Sequence, residues 1–89
     1  MSYDFMRLLK RMAELISPKE IGITGLAFLP DHPESPNCWH LTVSWADSSS
    51  LRYGFAYDKP TRSKKGTMMA AYEAAGACLL ELELEKADQ

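Results

Sequence analysis

The chain has 89 residues, and its ten lysines and arginines against twelve aspartates and glutamates give a formal net charge of −2. Hydrophobic residues make up 46% and charged residues 25%, the balance of a globular chain rather than a disordered one. This length leaves room for one domain over residues 1–89 and excludes a large catalytic apparatus or a nucleotide-binding βαβ domain.

The N-terminus shows neither the basic start nor the apolar run of a signal peptide. No apolar stretch approaches the roughly 18 residues that a membrane span needs. Two cysteines, Cys38 and Cys78, are too few for a disulfide scaffold. Together these features predict a cytoplasmic protein with free thiols and no membrane contact.

Residues 3–16 read as a helix. Phe5, Leu8, Leu9, Met12, Ala13 and Ile16 recur at three- and four-residue steps, with Arg7, Lys10, Arg11 and Glu14 mostly off that stripe. Pro18 closes it, because the residue before a proline is pushed out of the α region. Ser17-Pro18-Lys19-Glu20 also fits a capping box, so one further turn at most is expected there. Residues 21–29 read as a first strand, with apolar residues on both parities. Residues 30–37 form a proline-rich loop.

A hairpin follows. Trp39, Leu41, Val43 and Trp45 alternate with His40, Thr42 and Ser44, and Leu51, Tyr53, Phe55 and Tyr57 alternate with Arg52, Gly54 and Ala56. Period-two alternation around a polar loop predicts two antiparallel strands with one buried face. A loop over 46–50 would set Trp45 opposite Leu51, Val43 opposite Tyr53, Leu41 opposite Phe55 and Trp39 opposite Tyr57. Residues 63–86 read as a second helix, its stripe being Met68, Ala71, Tyr72, Ala75, Cys78, Leu79 and Leu82. The alternating tail Leu80-Glu81-Leu82-Glu83-Leu84-Glu85 would suit a strand, but leucine and glutamate favour helix. The expected fold class is therefore α+β. Its order is α-β-β-β-α, with a three-stranded antiparallel sheet and two helices packed on one face.

Few constellations could carry chemistry. Asp31, His32, Cys38 and His40 lie close in sequence, but their spacing matches no standard zinc pattern. Cys38 and His40 are two apart on a strand and share a face, as a nucleophile and base would, but no third orienting group is evident. The glycines are scattered, so no phosphate cradle forms. A non-enzyme without metal or cofactor is the expectation.

Charge is more informative. Lys59, Arg62, Lys64 and Lys65 cluster before the last helix, and with Ser63 as N-cap the last two would occupy its first turn. Basic side chains beside free N–H groups would bind an anion there. The α-β-β-β-α order, Ser63-Lys64-Lys65 opening the last helix, and Ala70-Ala71 after it resemble the double-stranded-RNA-binding domain. In that family a Lys-Lys-x-Ala-Lys signature grips phosphates, and a Gly-Pro-x-His loop enters the minor groove. Pro30-Asp31-His32 stands in the equivalent loop, while Thr67, Met68 and Leu29 replace the Ala, the third Lys and the Gly. The resemblance implies duplex-RNA contact through Lys64, Lys65 and His32, with Lys59 and Arg62 beside them.

Beyond its core stripe, the last helix lines a neighbouring face with Met69, Gly76, Leu80 and Leu84, with Glu73 among them. That face predicts a protein partner or a homodimer. By size class, the chain is similar to small inhibitors and adaptors of phage and mobile elements, anti-CRISPR proteins included. Protein binding is the leading expectation, and nucleic-acid binding through the basic cluster is the alternative.

Overall fold

A computed structural model describes residues 2–32, 37–59 and 61–88. In chain order the elements are α1 (Ser2–Ile16), β1 (Ile23–Pro30), β2 (Cys38–Trp45), β3 (Ser50–Ala56) and α2 (Met68–Ala87). The strands form one antiparallel sheet in the order β1-β2-β3, with both helices packed against it. This is the architecture expected.

α1 follows its pattern. Phe5, Leu9, Met12 and Ala13 are buried, while Leu8 and Ile16 are half-buried. Asp4 lies in the first turn, where a negative charge complements the helix dipole. The helix ends before Pro18, and the Ser17 N–H still donates to the Ala13 carbonyl at 2.9 Å. The expected capping box at residues 17–20 starts no helix. Instead Lys19 packs over the hairpin's end, with Nζ 4.2 Å from the Trp45 ring centre and 3.0 Å from Ser49 Oγ.

β1 explains its mixed parity. Ile23 stands opposite Trp45, but Gly25 stands opposite Ser44, so one extra residue is inserted between them. That bulge moves the core-facing set from odd to even numbers, because strand side chains alternate strictly. Ile23 before the bulge and Leu26 and Phe28 after it all meet the core. Of the expected proline-rich loop, Pro30 closes β1 and residues 33–36 lie outside the described ones.

β2 is the central strand. Trp39, Leu41, Val43 and Trp45 are buried, and the residues between them are half-buried. The hairpin register is shifted by two from expectation: Trp39 faces Phe55, Leu41 faces Tyr53 and Val43 faces Leu51. The loop is shorter than its polar run suggests. Trp45 N–H donates to Ser49 O, and Ser48 N–H donates to Trp45 O, each at 3.0 Å. Ser48 adopts φ 72°, which makes this a three-residue turn with a left-handed closing residue. Asp47 Oδ1 accepts from Ser49 N–H at 3.0 Å and from the Ser49 hydroxyl, which holds its pKa below the usual carboxylate value. A shift of two preserves parity, so the same face stays buried.

The core centres on Trp39, Leu9, Met12, Leu41, Val43 and Cys78, all fully buried. Phe28 stacks on Trp39 with ring centres 5.2 Å apart and planes within 6°. Each such side chain contributes about 1.5–3 kcal/mol by leaving water. From α2 come Ala70, Ala71, Ala74, Ala75, Cys78 and Leu82. Met68 and Tyr72, expected in this stripe, are exposed, and Ala70 and Ala74 take their place. The sheet supplies the bulk, so the helix lying on it presents alanine.

Candidate functional site

α2 starts later than expected. Gly66 has φ +94°, which glycine adopts without strain, and Thr67 is extended at φ −87° and ψ 158°. Thr67 Oγ1 accepts from Ala70 N–H at 3.2 Å and donates to Lys64 O at 2.7 Å. Thr67 is therefore the N-cap, and Ser63 is not. Lys64 and Lys65 precede the helix and do not occupy its first turn.

The basic residues disperse accordingly. Lys65 Nζ lies 5.8 Å from the Trp39 ring centre, a cation–π contact with the core's edge. Arg62 is held by Glu73: its N–H and Nε lie 3.0 and 3.3 Å from the carboxylate oxygens. Lys59 and Lys64 are exposed, as is His32 at the far end of β1.

The face predicted for a partner stands open. Met69 is 63% exposed, Leu80 60% and Leu84 59%, and Gly76 between them is half-buried. Helical spacing puts all four, with Glu73 among them, along one line of α2, turned away from its alanine face. Leu80 and Leu84 lie within the helix, which runs unbroken to Ala87, so the tail forms no strand. Met68 and Tyr72 widen the surface at the N-terminal half of α2. Together with Phe5, Met69, Arg62 and Glu73 they line a mostly apolar groove of about 770 Å³. The Phe5 and Tyr72 rings stack across it at 6.1 Å. Sequence reasoning placed Met68 and Tyr72 in the core, because a hydropathy stripe is blind to side-chain size. The C-terminal half differs in charge, carrying Glu81, Glu83, Glu85 and Asp88 against Lys86. Arg11 of α1 meets Glu83 at 3.0 Å.

The sheet's other face carries one polar cluster. His40 Nδ1 donates to Asp31 Oδ1 at 2.7 Å, and Arg52 Nη2 reaches the same oxygen at 3.3 Å. Asp31 is thus the orienting carboxylate that the sequence left unidentified for His40. Cys38 lies two residues away on the same strand, but the described hydrogen bond of His40 goes to Asp31, with Arg52 Nη2 beside the same ring nitrogen, and not to Cys38. A nucleophile needs contact with its base, so the cluster reads as a surface ion pair. Among the described residues, no three of His, Cys, Asp and Glu gather as metal ligands. The other thiol, Cys78, is pushed up to about 12 by burial, with Glu81 adding to the shift.

Protein-family models, curated proteins and solved structures give no match to this chain. The element order is that of the double-stranded-RNA-binding domain, and no family model extends the resemblance further. No helix among the described residues is long and apolar enough to cross a membrane.

Proposed function

We propose that this chain is a small non-enzymatic binding protein that acts by macromolecular contact, with a protein as its partner. The line of Met69, Leu80 and Leu84 on the outer face of α2 carries this reading. The inner face of the same helix is already filled, so packing within the chain gives these side chains no use. Single exposed apolar residues are ordinary, whereas Met69, Leu80 and Leu84, with Met68 and Tyr72 beside them, put several large apolar side chains in water on one side of one helix, around Gly76 and the Arg62-held Glu73. An inhibitor or adaptor of the phage and mobile-element kind would act through such a surface.

The test is affinity capture from the native cell, with and without nuclease, using the unmutated chain and a Leu80→Glu plus Leu84→Glu variant. Nuclease-resistant protein partners lost with the variant are the expected result. Captures that vanish with nuclease, or that fail only with Lys64→Glu plus Lys65→Glu, would overturn it in favour of nucleic acid.

A further inference from the structure

We propose, building on that reading of the α2 outer face, that its occupant is a second copy of this chain. The two α2 helices lie antiparallel across a twofold axis that passes by Gly76.

Shape is the first reason. The N-terminal half of α2 borders the groove of Phe5, Met68, Met69 and Tyr72, and the C-terminal half presents Leu80 and Leu84 as a ridge. In an antiparallel pair the ridge of each copy meets the groove of the other, so the contact forms twice. That is the self-complementarity a twofold interface requires.

Charge is the second reason. With Arg62, Lys65 and Glu83 already engaged within the chain, exposed Lys59 and Lys64 stand before α2 and exposed Glu81, Glu85 and Asp88 lie at its end, the reverse of what its own dipole favours. An antiparallel copy brings the basic end of one helix beside the acidic end of the other. A parallel copy would set like charge on like. Glu73, the acid nearest the groove, is already held by Arg62.

Gly76 is the third. A Cβ built there meets nothing within 4 Å, so packing within the chain does not require glycine. Glycine in mid-helix weakens the helix relative to alanine. Its absent side chain lets a second backbone approach at the point where the two helices cross.

Sedimentation equilibrium on the whole chain over a wide concentration range should show a monomer–dimer equilibrium that weakens with added salt. Leu80→Glu plus Leu84→Glu should give a monomer with unchanged circular dichroism and, in solution dilute enough for the unmutated chain to be monomeric, an unchanged unfolding midpoint, since both side chains are largely exposed. Geometry is read by cysteine pairing in a Cys38→Ser background. Gly76→Cys should link to itself on mild oxidation, Met69→Cys should not, and a mixture of Met69→Cys with Leu84→Cys should. A chain that stays monomeric at every concentration overturns the proposal. So does a dimer that survives the double substitution, or one in which Met69→Cys links to itself as readily as Gly76→Cys. A monomer whose nuclease-resistant partner is still lost on Leu80→Glu plus Leu84→Glu rejects the second copy and keeps the face for a different protein. Captures indifferent to that substitution reject the broader reading itself.

Discussion

The two helices lie on the same sheet and treat water differently. α1 divides almost cleanly, with Phe5, Leu9, Met12 and Ala13 inward and Arg7, Lys10, Arg11 and Glu14 outward, Met6 being its one exposed large apolar residue among those described. α2 puts mostly alanine inward, with Cys78 and Leu82, and leaves Met68, Met69, Tyr72, Leu80 and Leu84 exposed. α1 is what a helix looks like when its only task is to cover a core. The outer face of α2 departs from that pattern over much of its length. Leaving methionine and leucine in water gains nothing for the fold, and the proposed contact surface rests on that difference between the helices.

The largest expected effect divides inner from outer positions. Met12→Ala should cost about 2–5 kcal/mol in a urea titration, as large-to-small changes in a packed core do. Leu80→Ala in dilute solution should stay within about 0.5 kcal/mol. Similar costs at the two positions would erase the contrast. Next comes the buried thiol of α2. Cys78 is raised to about 12 by burial, while an unfolded thiol ionises near about 8.5. Between those values the unfolded chain gives up a proton that the folded chain keeps, so stability falls as pH rises. That single group contributes a slope of up to about 1.4 kcal/mol per pH unit, and Cys78→Ala should remove it. Tyr57, also raised by burial, acts in the same direction at higher pH.

Gly76→Ala sharpens the comparison from the other side. With open space around the new methyl group, dilute monomer should gain about 0.8–1 kcal/mol of helix stability. No gain would mean that the glycine serves the fold. The smallest effect lies at the seam between the helices. Arg11→Ala removes the contacts to Glu14 and Glu83, both exposed, and should cost under about 1 kcal/mol, less at high salt.

Much of this was legible in the residues. The β2 alternation and the α1 stripe each report one buried face, and both read correctly. Met69, Leu80 and Leu84, which the spacing set off the core stripe, are exposed. The misreadings share a cause, which is that local geometry can override a hydropathy pattern. The bulge in β1 makes two half-patterns look like none. Polar Ser49 and Ser50 look like loop, although Ser50 pairs with Ser44 and Ser49 bonds to Trp45. Gly66 and Thr67 end a loop and cap a helix, and that signal lay inside a run read as already helical. Asp31 and His40 lie nine residues apart, a separation that no spacing rule links.

The bulge between Ile23 and Gly25 has one more consequence. An outermost strand offers its unpaired backbone groups to any passing chain, and proteins blunt such rims with irregular backbone and proline. β1 has both, a bulge near its start and Pro30 at its end. β3 has neither, and within it only Arg52 carries a charge. The sheet is therefore guarded on one side only, and uncontrolled strand addition in a crowded or partly unfolded sample would begin along β3.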